Sequence, residues 1–242
     1  RLSFPHPGAG CDLSSKFGVD AARAESLVRE AVRQGVPVAG FSFHVGSQLD
    51  DPEPFRVAVA TTLALMDTLE ARLPVRFDTL DIGGGFPAAY EGRVTDLERI
   101  AEGIRPLLEA RAADLDVIAE PGRIMVADAM TLVTSVVGIA DRPDGRWYYL
   151  DDGLYGSYSN VLTEHMHPLT VSERELRGAD PVGPATLAGP TCDSTDVIAR
   201  GVPMPELEVG DLVLSPTMGA YTTVTACRFN GRALTRIIPI HG

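Results

Sequence analysis

The strongest constraint on this chain's fold is a change in apolar period near residue 130. Before it, short apolar runs alternate with helical stripes. Asp20 is placed to cap a helix over Ala21–Gln34, with Leu27, Val28, Ala31 and Val32 on one face and Gly35 as its stop. Val36–Val45 reads as a buried strand. Pro52–Leu73 reads as a long amphipathic helix, with proline tolerated in its first turn. Thr79–Ile82 and Asp116–Ala119 read as strands, separated by a helix over Asp96–Ala113. Strand–helix alternation at this spacing specifies a parallel α/β sheet or barrel.

Beyond the boundary, placed between Ala127 and Thr131, helical periodicity nearly vanishes. Met130–Ile139, Trp147–Leu150, Ala185–Ala188, Leu212–Leu214, Ala220–Arg228 and Leu234–Ile240 are strand-like runs separated by Gly, Pro and Asp. They predict a mainly antiparallel β domain over 130–242, behind an α/β portion over 1–129. Three strand–helix units fall short of the eight of a closed (β/α)8 barrel. The expectation is therefore an open sheet or the back end of a longer barrel, with apolar sheet edges exposed and low solubility.

Net charge is −12, from 33 acidic and 21 basic residues. That argues against a nucleic-acid backbone as partner and is compatible with a cationic substrate. No apolar run is long enough to span a bilayer, and the start lacks a signal-peptide pattern. Cys11, Cys192 and Cys227 show neither disulfide pairing nor zinc spacing, so no metal is expected and a reducing cytoplasm is. Lys16 is the single lysine.

Candidate chemistry gathers at strand ends, where parallel α/β folds place their sites. His44 and Ser47 in HVGSQ can stack on a flat ring and donate to a phosphate; the alternative is a satisfied strand-end histidine. Gly83, Gly84 and Gly85 follow a strand directly, and their N–H groups can nest an anion; a tight turn needs fewer glycines. In Glu120-Pro121-Gly122-Arg123 the arginine can clamp a phosphate and the glutamate can hold a proton on a heterocyclic nitrogen. The alternative is a Glu–Arg ion pair. Asp151-Asp152-Gly153 and the Gly189–Asp196 loop read as turns, although Cys192 beside Asp193 is unusual there. Tyr221 can offer its hydroxyl to a ligand or serve in a core.

Taken in order, HVGSQ, LDIGGGFP, AEPGR, LDDGLYGSYSN, GPTCDSTD and MGAYT resemble the fold-type III pyridoxal-phosphate decarboxylases of basic amino acids. Within that family they look most like the ornithine decarboxylases. The likeness runs from Lys16 to Phe229-Asn230-Gly231. It implies an alanine-racemase-like (β/α)8 barrel holding pyridoxal 5'-phosphate, then a β domain. It places His44 on the cofactor ring, Glu120 at the pyridine nitrogen, and Ser47, Gly84, Gly85, Gly122, Arg123 and Tyr221 at the phosphate. It makes Cys192 the proton donor after carbon dioxide leaves and puts Asp193 on the substrate's distal amine. Both would act in the neighbouring subunit's site, so a homodimer is implied. Lys16 and Asp196 match a pair that the family places at the dimer interface, and Arg1 falls at the spacing of an active-site arginine.

Two departures matter. The family's Schiff-base lysine lies upstream of every motif here, so the chain is expected to be a fragment that does not turn over alone. Glu164 also stands where ornithine enzymes carry aspartate, and its extra methylene bears on the preferred chain length. The rivals are a lysine, arginine or diaminopimelate decarboxylase, a non-catalytic homologue that binds a regulatory partner, and an unrelated phosphate-binding enzyme. Asp193 speaks against diaminopimelate, whose enzymes usually carry glutamate there.

Overall fold

The structure is a computed structural model describing residues 1–6, 8–9, 12–90, 95–111, 114–164 and 166–240. Cys11 and His165 lie outside them. The chain divides into two compact units, Arg1–Ala88 with Val94–Ile124, and Ala89–Arg93 with Met125–Gly242.

The first unit holds β1 (Gly40–Ser42), β2 (Thr79–Asp81) and β3 (Asp116–Ile118), parallel and in that order. Leu2 extends the β1 side through parallel bridges to Phe43 and Val19. Helix α1 (Ala21–Gln34) starts where Asp20 accepts from the Arg23 N–H and stops at Gly35, φ 70°. Helix α2 (Pro52–Glu70) buries Phe55, Val59, Thr62, Met66 and Leu69, a three-and-four spacing that turns one face to the core. Helix α3 (Leu97–Glu109), capped by Asp96, adds Ile100 and Ile104. Phe41 and Phe77 meet edge-to-face, and Phe55 stacks on Phe86 at 5.2 Å. The second contact ties the glycine-rich loop after β2 to α2. β3, at the edge of this sheet among the described residues, leaves Val117 and Ile118 nearly half exposed.

Strand β1 is shorter than the expected Val36–Val45. Val36 is exposed, and only residues 40–42 find a ladder partner on β2. At Gly40 the strands approach so closely that a Cβ would stand 1.7 Å from the Thr79 carbonyl oxygen.

The second unit opens with the four-residue helix α4 (Arg123–Val126), whose first two residues belong to the first unit, and a 3-10 turn at Ala127–Ala129. Its sheet has the order β6-β9-β4-β5-β7-β8, built from β4 (Leu132–Arg142), β5 (Gly145–Leu150), β6 (Val171–Ser172), β7 (Gly183–Ala188), β8 (Val197–Met204) and β9 (Leu212–Ser215). All pairings are antiparallel except β5–β7. The core gathers Leu150, Leu187, Met204 and Val213 around Tyr158. The Tyr158 hydroxyl bonds to Ser215 at 2.8 Å, and burial pushes its pKa up to about 12.

Two expected strands are absent among the described residues. Ala220–Arg228 is turn: Tyr221 sits at φ 54°, and the Thr222 and Thr225 hydroxyls donate to the carbonyls of Met218 and Tyr221. Such side-chain bonds compete with a ladder. Leu234–Ile240 forms no strand and leaves Ile237, Ile238 and Ile240 exposed; β-branched residues favour a strand only where a partner strand exists. Two short helices, α5 (Ser159–Glu164) and α6 (Glu173–Leu176), stand between strands where the sequence shows no helical period. α6 carries a reciprocal capping box between Ser172 and Glu175.

Candidate active site

Three chain segments far apart in sequence converge at the C-terminal ends of β1, β2 and β3. Leaving β1, the chain turns at His44, whose Nδ1 accepts the Gly46 N–H at 3.0 Å. That bond puts the ring proton on Nε2 and fixes the imidazole plane. His44 is half-buried; burial first, and the charge of Arg1 second, hold its pKa below the ordinary histidine value. The ring is therefore neutral at pH 7.

The glycine-rich loop leaves β2 beside it. Gly83 adopts φ 67°, donates to Asp81 at 2.8 Å, and receives the Glu120 N–H on its carbonyl at 2.8 Å. A Cβ on Gly84 would stand 2.7 Å from the Glu120 carbonyl oxygen and 3.3 Å from His44 Nε2. On Gly85, at φ 99°, it would stand 2.1 Å from the Gly46 carbonyl oxygen. His44, the glycines and the Glu120 backbone thus form one tight cradle, and side chains would fill it.

Gln48 holds the cradle's two loops together, a role the sequence did not reveal. Its amide donates to the Ala88 carbonyl at 3.1 Å and accepts the Ala88 N–H at 2.7 Å, from a left-handed backbone at φ 60°. A bidentate glutamine forty residues from its partner leaves no local signal. Ser47 is half-buried between His44 and Gln48, Glu120 and Gly122 are exposed, and Arg123 opens α4 nearly buried.

In the second unit, Cys192 and Asp193 sit on the loop joining β7 to β8. Tyr155 donates its hydroxyl to Asp193, and Thr195 donates its N–H to the same carboxylate at 2.9 Å. The tyrosine bond is the larger cause, and the two hold the Asp193 carboxyl below the usual carboxylate range. The Cys192 N–H donates to Asn230 at 2.9 Å, and Tyr155 packs on Phe229 at 4.4 Å. Cys192 itself is exposed. Tyr155 lies within a motif and Phe229 and Asn230 at the end of the likeness, but their joint contacts with this loop are visible only in three dimensions. Glu164 ends α5 half-buried, and Tyr221 is exposed at a left-handed turn. Asp152 is structural: it accepts the Gly153 and Ser157 N–H groups and the Thr235 hydroxyl.

Among the described residues, no cluster of three or more His, Cys, Asp or Glu can hold a metal ion, and no helix is long and apolar enough to cross a membrane. A neutral half-buried imidazole, a tight glycine cradle and an arginine and glutamate on the next strand end suit a flat anionic heterocycle.

Residues 5–127 match the pyridoxal-binding domain of the pyridoxal-dependent decarboxylases, and the chain belongs to that family. The ornithine decarboxylase of Panagrellus redivivus is 38% identical over 96% of this chain and 57% of its own length. Lysine/ornithine decarboxylase of Vibrio vulnificus, solved with cadaverine, is 39% identical with a TM-score of 0.88, over 96% of this chain and 63% of that one. A Xenopus laevis protein named antizyme inhibitor 2 is 35% identical over 96% of this chain. The fold is thus that of a cofactor-binding barrel portion followed by a β domain. The chain spans little more than half the length of these relatives.

Proposed function

We propose that the whole protein to which these residues belong is a pyridoxal 5'-phosphate-dependent decarboxylase of basic amino acids, with L-ornithine as substrate and putrescine as product. The observation that carries this reading is the cradle of His44, Gly84 and Glu120 at the sheet's C-terminal edge, in a chain of this family.

The cradle fits the cofactor, which when bound supplies an electron sink for the bond to the leaving carboxylate. His44, neutral and fixed, stacks on its ring. The backbone of Gly84, Gly85 and Gly122, the Ser47 hydroxyl and the Arg123 guanidinium hold the phosphate; the family resemblance adds the Tyr221 hydroxyl. Glu120 keeps a proton on the pyridine nitrogen. The Cys192 thiol holds the proton that replaces carbon dioxide at the α-carbon. Asp193, kept ionised by Tyr155 and Thr195, binds the distal ammonium, and Glu164 bears on side-chain length. Cys192 and Asp193 act in a neighbouring subunit's site, so the working form is a homodimer in the cytoplasm.

The test is to incubate the whole protein and pyridoxal phosphate with carboxyl-labelled ornithine, lysine or arginine in turn. The proposal expects labelled carbon dioxide fastest from ornithine, with equimolar putrescine. Faster release from lysine would reassign the substrate. No release from any of the three, with cofactor bound, would favour the rival reading, a homologue that binds a regulatory partner and does not turn over.

A further inference from the structure

The loop bearing Cys192 and Asp193 ends on a carboxylate turned into the protein. Asp196 is 3% exposed. Its Oδ1 accepts the Leu154 N–H at 2.7 Å; its Oδ2 accepts the Thr191 N–H at 3.1 Å and the Thr191 hydroxyl at 2.6 Å. Two glycines admit it. A Cβ on Gly153 would stand 2.3 Å, and one on Gly189 2.1 Å, from Oδ1. The resemblance gives Asp196 an interface role with Lys16; within the chain, the carboxylate already serves three donors.

Those donors come from two separate turns. Leu154 precedes Tyr155, whose hydroxyl meets Asp193. Thr191 precedes Cys192, and its Oγ1 also accepts the Asp193 N–H at 3.4 Å. The Asp196 backbone closes the loop, donating to Asp193 at 3.0 Å and accepting from Gly189 at 2.8 Å. We infer that Asp196 is a positioning residue: it clamps the 151–158 turn to the 189–196 loop and so sets Asp193 against Tyr155 and Cys192 at the loop's tip. The inference rests on the amine-binding role proposed for Asp193 and extends it to a residue that touches no substrate.

Asparagine tests it sharply. An amide has one acceptor, so in Asp196→Asn an NH2 group must face either the Leu154 N–H or the Thr191 N–H. In the whole protein with cofactor, two readouts are taken. One is amide exchange of 189–196 relative to Leu132–Ser135 of β4. The other is the preference for putrescine over butylamine as competing ligands, which reports Asp193's grip on the distal ammonium. Asp196→Asn is expected to speed loop exchange at least tenfold, leave β4 unchanged and cut the diamine preference about tenfold. Thr191→Val should act the same way more weakly and Thr191→Ser should restore it, which decides the matter if Asp196→Asn fails to fold. Thr62→Val, which removes a buried hydroxyl bond within α2, should lower Tm and move neither readout. Unchanged loop exchange in both Asp196→Asn and Thr191→Val overturns the clamp. A loosened loop with unchanged diamine preference supports the clamp and overturns the amine role on which the inference rests.

Discussion

Gly84→Ala probes the cradle with one methyl group. Gly84 is not among the left-handed glycines, so alanine meets no backbone strain there. The methyl carbon would land 2.7 Å from the Glu120 carbonyl oxygen and 3.3 Å from His44 Nε2. Ordinary contact begins near 3.5 Å, so the loop must retreat from Glu120 by about 0.8 Å. The Glu120 backbone cannot yield freely, because its N–H is bonded to Gly83 at 2.8 Å in the same loop. Overpacking of this kind costs about 1–3 kcal/mol. A loop displaced by that distance also withdraws N–H groups from a bound phosphate, and about 1.4 kcal/mol of lost binding is a tenfold weaker Kd. Urea unfolding and pyridoxal phosphate titration of wild type and variant measure both effects. Gly35→Ala is the control: it places a side chain at φ 70° with nothing within 4 Å, so it should lower stability and leave cofactor affinity alone. A Gly84→Ala protein of wild-type stability and wild-type affinity would refute the cradle.

Three further outcomes follow from the same geometry. His44 has a folded-state pKa below its ordinary 6.5, so its neutral form stabilises the fold fully above 6.5, and that contribution is lost as pH falls from there toward the folded value; wild type should lose more unfolding free energy between pH 7.5 and 5 than His44→Gln, measured by urea titration. Removing the Tyr155 hydroxyl with Tyr155→Phe takes away the main cause that lowers the Asp193 pKa, so the acid limb of putrescine binding should move to higher pH. Asn160 buries both amide atoms without a hydrogen-bond partner among the described residues, so Asn160→Leu should raise Tm or leave it unchanged, since an unpaired buried polar group costs about 1–3 kcal/mol; a clear fall in Tm would show a partner at that amide.

The sequence is most legible where local chemistry decides the outcome. Asp20 and Gly35 bound α1 because a carboxylate cap and a left-handed stop act within one turn. The ends of β2 and β3 are read almost to the residue from the glycines and the Glu-Pro-Gly that follow them. Legibility fails where a partner decides. β8 contains Gly201 at φ 69° and Pro203, which read as loop; as an edge strand with register shifts against β7 it tolerates both. Ile237-Ile238 has strand composition, yet among the described residues it joins no strand and is exposed. At the candidate site, the motifs single out His44, Gly84, Glu120, Cys192 and Asp193 as the residues proposed to act. The bonds of Gln48, Tyr155, Thr191 and Asp196 around them join segments that the motifs do not connect, or in Asp196's case depend on a carboxylate turned inward.

The most direct test of the account is a crystal structure of the whole protein with pyridoxal phosphate. The account predicts the ring stacked on His44, Glu120 at the pyridine nitrogen, and the phosphate against the N–H groups of Gly84 and Gly85 with Arg123 beside it. Cofactor bound elsewhere, or a cradle that stays empty at saturating pyridoxal phosphate, would contradict it.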